Sequence, residues 1–299
     1  MYQQFFGFKE MPFTLAPDTQ FFFMHRGHQE ALSVLLVALE CGEGFIKITG
    51  EVGTGKTLLC RELLNRLAGK YYTAYIPNPF LSPVGLRKAL AEELGIDTHG
   101  LSDHEILKAI NQRLITLNAQ GKGVVVCMDE AQAIPDQTME ALRLLSNLET
   151  EKRKLLQIVL FGQPELDEKL ARPRNRQLRQ RIVHSYRLHP LDSDRVASYL
   201  DHRLHVAGYN GEPLFGHDAI DSLYRVSGGV PRVINILGNK ALLLAFGRGR
   251  KSVGRDLVKE AAADTEGVDP PVWWQEQLPN IGLVAGLLLL VASAYLIWS

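Results

Sequence analysis

Cysteine is scarce in these 299 residues. Cys41, Cys60 and Cys127 are the full set: odd in number, widely spaced and each set among apolar neighbours. No CxxC pair or zinc-ligand spacing occurs, which excludes a disulfide framework and a structural zinc module. Reduced, buried thiols in a cytoplasmic domain are expected. An excess of either charge sign is also missing, since Lys plus Arg and Asp plus Glu are 33 each. The distribution says more than the total. Glu260, Asp264, Glu266, Asp269 and Glu276 have no basic counterpart after residue 259, so residues 1–259 carry a surplus of five basic side chains. That surplus is small, and no long basic arm accompanies it, which argues against nucleic acid as a partner. The N-terminus lacks the charged-then-apolar layout of a cleaved leader, so residues 1–262 are expected to stay in the cytoplasm. No internal repeat is present.

What the chain does have is a phosphate loop. Residues 44–60 read GFIKITGEVGTGKTLLC, in which Gly50, Glu51, Val52, Gly53, Thr54, Gly55, Lys56 and Thr57 fit G-x-x-x-x-G-K-[ST]. Phe45 to Thr49 is β-branched and aromatic and predicts a buried strand. From Lys56 onward Leu59, Leu63 and Leu67 recur at helical spacing, so the loop opens a helix, which is the context this motif requires. Glycines let backbone N–H groups converge on a phosphate where a side chain would intrude, and the helix N-terminus favours the anion. Lys56 is expected on the β- and γ-phosphates of ATP and the Thr57 hydroxyl on Mg²⁺.

The second half of the site is read from GKGVVVCMDEAQAI. Val124 to Met128 is an uninterrupted apolar run, as in a central parallel strand. Asp129 and Glu130 sit at its C-terminal end, where open α/β sheets gather ligands. Asp129 is expected to hold Mg²⁺ through water and Glu130 to polarise the attacking water. A bland reading makes the pair a cap for the helix from Asp136. The DEAQ string also matches a helicase box, but 299 residues leave no room for a second RecA-like core.

Strands Tyr71–Ile76 and Leu155–Phe161 alternate with helices His28–Leu39, Ser82-capped to Leu94, Asp103–Asn118 and Asp136–Leu148. This describes a parallel sheet covered on both faces, an α/β fold over residues 1–190. The aromatic opening, MYQQFFGFKEMPFTLAPDTQFFF, is expected to wrap that core. After residue 190 helices near 192–207, 217–226, 231–245 and 252–262 form a small lid, 191–265, followed by an acidic linker, 266–280.

Residues 281–298, IGLVAGLLLLVASAYLIW, are uncharged and would span about 27 Å as a helix at 1.5 Å per residue. Trp273 and Trp274 on one side and Tyr295 and Trp298 on the other suit two interfaces. A single C-terminal transmembrane helix at the inner membrane is expected, with the nucleotide domain on the cytoplasmic side.

Sheet, lid, loop and Asp-Glu pair together resemble AAA+ ATPases. FFGFKEMPFTLAPD, GEGFIKITGEVGTGKTLLCR, YIPNP, DEAQAIP, NLETEKRKLLQIVLFGQPELDEKL, RQLRQRI and GGVPRVINIL resemble, more narrowly, the ExeA/GspA-like secretion ATPases. Among these the likeness is to ATPases of mannose-sensitive haemagglutinin (MSHA) type IV pilus biogenesis. The resemblance spans residues 1–265. It implies Gln163 as the sensor-1 residue between Glu130 and the γ-phosphate, although that position is often Asn, Ser or Thr. It implies Arg232 as the lid arginine that touches the γ-phosphate. It also implies Arg181 as a finger entering a neighbour's site in a homo-oligomeric ring, with Arg176 and Arg179 as competitors. Five arginines in residues 172–181 could instead bind nucleic acid or solvate a helix. Partners implied are pilus or secretion assembly proteins in the inner membrane. ExeA-like relatives carry a periplasmic cell-wall-binding domain after their span; no such domain is expected here, and a partner is expected to supply the cell-wall contact. The competing reading is a nucleic-acid-associated AAA+ switch of the transposition-helper kind, which the apolar tail opposes.

Overall fold

A computed structural model describes residues 2–149 and 154–267. In chain order the first elements are α1 (Tyr2–Phe6), α2 (Arg26–Glu40), β1 (Phe45–Gly50), α3 (Lys56–Leu67) and β2 (Tyr71–Ile76). Next come α4 (Pro83–Glu93), α5 (Asp103–Ala119), β3 (Gly123–Met128), α6 (Asp136–Leu145) and β4 (Leu156–Gly162). Then follow α7 (Glu165–Ala171), α8 (Arg176–Arg179), β5 (Ile182–Leu188), α9 (Ser193–Val206), α10 (His217–Ser227), α11 (Pro231–Gly247) and α12 (Arg255–Ala263).

The chain divides into two compact units. One comprises residues 15–190 with 230–232, and the other residues 2–14, 191–229 and 233–267. In the first, five parallel strands lie in the order β2-β3-β4-β1-β5. Alternate side chains leave opposite faces, as strand geometry dictates. Val124, Val126 and Met128 join Ile158 and Leu160 under α4, α5 and α6, while Val125 and Cys127 join Val159 and Phe161 under α2 and α3. Burial on both faces explains why β3 and β4 are continuous apolar runs.

Local chemistry sets the helix ends. Ser82 accepts from the Gly85 N–H at 3.1 Å with Pro83 in the first turn, and Ser102 with Glu105 closes a capping box on α5. Helix α6 stops at Leu145, three residues before its expected end, and α12 begins at Arg255. Strand β5 was not foreseen. Its inner positions are only half-buried at Ile182, His184 and Tyr186, and its outer positions Val183, Ser185 and Arg187 are exposed, so this edge strand lacks the apolar run. Cys60 and Cys127 are buried as expected, but Cys41 is exposed because it caps the C-terminus of α2.

Residues 2–14, expected on the sheet, group instead with the helical unit. Buried Arg203 on α9 explains this, donating from Nε to the Pro12 carbonyl at 2.6 Å and from its terminal nitrogen to Thr14 at 3.1 Å. Phe13 packs on Phe215 and lies close to Gly238, whose Cβ would come 3.1 Å from its ring. Among the described residues no helix is long and apolar enough to cross a membrane; the run 281–298 lies outside them.

Candidate nucleotide-binding and hydrolysis site

Strand β1 delivers Gly50 to the phosphate loop and α3 begins at Lys56. Gly53 and Gly55 have φ of +84° and +93°, a region that favours glycine. The space is as restrictive as the dihedrals. A Cβ on Gly53 would lie 2.4 Å from the Arg232 Cβ, and one on Gly55 would lie 2.9 Å from Nε2 of His28. Lys56 is buried, and its Nζ donates to the carbonyls of Gly50 at 2.8 Å and Glu51 at 2.9 Å. Burial lowers the Lys56 pKa, and Glu130, Asp129, Glu51 and Glu165 oppose that shift. Thr54 turns its hydroxyl onto the Glu51 carbonyl at 2.8 Å, while Glu51 and Val52 are exposed at the loop's tip.

Thr57 and Asp129 are brought together across 72 positions, with the Thr57 hydroxyl donating to Asp129 Oδ2 at 2.6 Å. The other Asp129 oxygen accepts from the Glu130 N–H at 2.9 Å, and the Asp129 N–H donates to Ile76 at 3.0 Å. Burial raises the Asp129 pKa, partly offset by the Thr57 and Glu130 hydrogen bonds. A hydroxyl and a carboxylate, both oxygen donors beside a lysine and a helix N-terminus, fit a magnesium triphosphate. When bound there, Mg²⁺ neutralises phosphate charge; Thr57 and Asp129 are the residues that would hold it.

Glu130 has φ +49°, the one non-glycine residue with positive φ among those described. Such a backbone costs about 1–3 kcal/mol and is characteristic of functional sites. Its carboxylate is held from two sides: Gln132 Nε2 donates to Oε2 at 2.5 Å and Gln163 Nε2 at 3.1 Å. The Gln163 N–H donates in turn to Gln132 Oε1 at 2.9 Å. A backbone N–H can only donate, so it fixes which end of the Gln132 amide faces Glu130. Gln163 therefore lies against Glu130, and Gln132, the last letter of DEAQ, completes the triangle. Lys169 on α7 clamps the following turn, donating to the carbonyls of Gln132 at 2.7 Å and Ile134 at 2.5 Å.

Arg232 meets the loop through its backbone, its N–H donating to the Gly53 carbonyl at 3.3 Å. Arg181 has partners within its own chain at the end of α6: the Arg143 carbonyl at 3.0 Å and the Ser146 hydroxyl. Arg176 and Arg179 on α8 are exposed. Arg172 and Arg174 pair with Asp136 at 3.5 and 2.8 Å. His28, Gln132 and Lys169 have no assigned role in the sequence reading; the Gln in DEAQ and the spacing His25-x-x-His28 were the available signals.

Residues 40–170 match the AAA domain family model. That stretch is an AAA+ P-loop α/β domain. The chain is 42% identical over 299 residues to General secretion pathway protein A of Aeromonas hydrophila, covering 100% of this chain and 54% of that protein. The chain thus spans about half the length of the curated relative it matches. Among solved structures it is similar to Cdc6p from Pyrobaculum aerophilum (18% identity, 83% of this chain and 70% of that one, TM-score 0.62). It is also similar to Aeropyrum pernix ORC2 (21% identity, 82% and 68%, TM-score 0.58). A third likeness is to the Thermotoga maritima RuvB Holliday junction branch migration motor (15% identity, 79% and 67%, TM-score 0.55). At these identities the likeness is one of fold.

Proposed function

We propose that this ATPase couples ATP binding and hydrolysis to the assembly of an envelope machine, a type IV pilus of the MSHA kind or a type II-like secretion apparatus. The observation that supports the pathway is the whole-chain identity of 42% to General secretion pathway protein A. The narrower resemblance to MshM-type sequences supports the pilus. Residues 281–298 anchor the chain in the inner membrane, with residues 1–262 facing cytoplasmic ATP and 191–265 acting as the lid.

In the reaction, Lys56 and the loop N–H groups would hold the phosphates, Thr57 and, through water, Asp129 would hold Mg²⁺, and Glu130 would polarise the attacking water. Gln163 keeps the Glu130 carboxylate oriented, and Arg232 reports nucleotide state. Arg181 supplies charge to a neighbouring subunit's site. Negative charge spreads over the equatorial phosphoryl oxygens in the transition state, and a guanidinium there is worth roughly 10³ to 10⁵ in rate. In a ring, turnover then depends on assembly.

The test is a cell whose chromosomal copy carries Glu130→Gln, scored for surface pili and secreted protein, with fractionation of the chain. Loss of assembly is expected at normal chain levels. The full chain should resist carbonate extraction, and a chain ending at Gln277 should be soluble. Normal pili and secretion in the mutant would remove the pathway, and an undiminished membrane fraction for the truncated chain would remove the anchor. Stimulation of turnover by DNA would favour the transposition-helper alternative.

A further inference from the structure

His28 is a buried titratable group beside the phosphate loop with no part in phosphate or water chemistry as described above. It lies on α2, 3% exposed, with Nε2 3.0 Å from the Thr54 carbonyl oxygen. A carbonyl only accepts, so Nε2 carries the hydrogen and His28 is the donor. The ring is held by Phe22, edge-on at 4.9 Å, and by His25 at 4.2 Å between centroids.

The consequence lies in the peptide unit that follows. A trans peptide is planar, so its C=O and N–H point in opposite directions. Fixing the Thr54 carbonyl therefore fixes the direction of the Gly55 N–H. Gly55 is the N-cap of α3, where the first N–H groups have no partner within the helix and are the ones that bind an anion. At φ +93° and with no side chain, Gly55 could pivot about this bond. A Cβ there would come 2.9 Å from Nε2, so ring and loop are in close contact. Burial, and then His25, push the His28 pKa down to about 4, against the hydrogen bond to the Thr54 carbonyl that raises it. At neutral pH the ring is thus an uncharged donor.

We propose that His28 is a positioning residue for phosphate binding: by holding the Thr54 carbonyl it aims the Gly55 N–H into the phosphate cradle. This rests on the reading that the loop binds a triphosphate, and it adds α2 to the elements that set nucleotide affinity. The competing roles are contact with the base and plain core packing.

Titration of the full-length chain with ATP and with inorganic tripolyphosphate, at constant Mg²⁺, separates these roles. His28→Leu should weaken both ligands in parallel by about tenfold, the size of one lost hydrogen bond. KM for ATP should rise in step while kcat changes less. His28→Gln, whose amide N–H reaches about as far as Nε2, should recover most of both affinities. If His28→Leu does not fold, His28→Asn, polar but too short to reach Thr54, is the non-donor. Loss of ATP affinity without loss of tripolyphosphate affinity overturns the proposal in favour of base contact. Unchanged affinity for both, or a Gln variant as weak as the non-donor, overturns it in favour of packing. Failure of the underlying reading looks different: wild type would bind neither probe better than Lys56→Ala.

Discussion

The Thr57 hydroxyl donates to Asp129 Oδ2 at 2.6 Å, joining the phosphate loop to the end of β3 across 72 positions. This contact places the two expected magnesium ligands on a common point. It also holds a carboxylate that burial raises in pKa, so Asp129 is retained at a cost in stability.

Asp129→Asn should make the sheet unit more stable while abolishing turnover. The folded-state pKa lies above the unfolded value, so ionised Asp129 opposes folding. That penalty is complete above the folded pKa and vanishes as pH falls through it towards the ordinary value of 3.8. Calorimetry should therefore show the variant melting a few degrees higher at pH 7, with the advantage shrinking in acid. A variant that melts lower at pH 7 would contradict this account.

The amide triangle around Glu130 predicts a catalytic defect without a binding defect. Gln132→Ala removes one donor to the carboxylate and the acceptor for the Gln163 N–H. Phosphate release should fall by about ten- to a hundredfold, in line with a lost hydrogen bond to a charged group. ATP affinity should stay within a few-fold. Gln132→Glu should be worse, since it sets a like charge beside Glu130. Steady-state turnover and ATP titration on the same preparations check both points, and an unchanged kcat for Gln132→Ala would dismiss the triangle as packing.

Mixing experiments address whether an arginine acts in trans, as proposed for Arg181. Arg181→Ala and Glu130→Gln chains should each be nearly inactive, and together should regain part of the turnover. An intact Glu130 site can then receive Arg181 from its neighbour. Acting in trans requires Arg181 to leave Arg143 and Ser146, whereas exposed Arg176 and Arg179 face no such demand. If co-assembled chains regain nothing with Arg181→Ala but do so with Arg176→Ala or Arg179→Ala, the role passes to that residue. Failure of all three leaves the ring without support.

The parts of this site legible in sequence are those written in contiguous residues. Gly50 to Thr57 declares its own strand, turn and helix, and Asp129 with Glu130 follows an apolar run that a parallel sheet requires. Contacts made across the chain leave no such mark. The bond from His28 to Thr54 spans 26 positions and that from Gln163 to Glu130 spans 33. Residue type predicts neither; the place of Gln163 beside Glu130 was expected only from the family resemblance. Strand β5 escaped because an edge position lets His184, Ser185 and Arg187 replace the apolar residues that betray a central strand. Helix α7 was hidden by its brevity: seven residues show only two buried leucines, Leu166 and Leu170. The pairing of residues 2–14 with the helical unit hangs on buried Arg203, a residue type that sequence rules place on the surface.

The measurement that bears most directly on the account sets ATP binding beside phosphate release for wild type, Lys56→Ala and Glu130→Gln. On the proposed mechanism Lys56 acts on ground-state phosphates, whereas Glu130 acts on water in the transition state. Lys56→Ala should lose ATP binding, and Glu130→Gln should keep it within a few-fold while release drops by about a hundredfold or more. Wild-type turnover by Glu130→Gln would contradict the account at its centre.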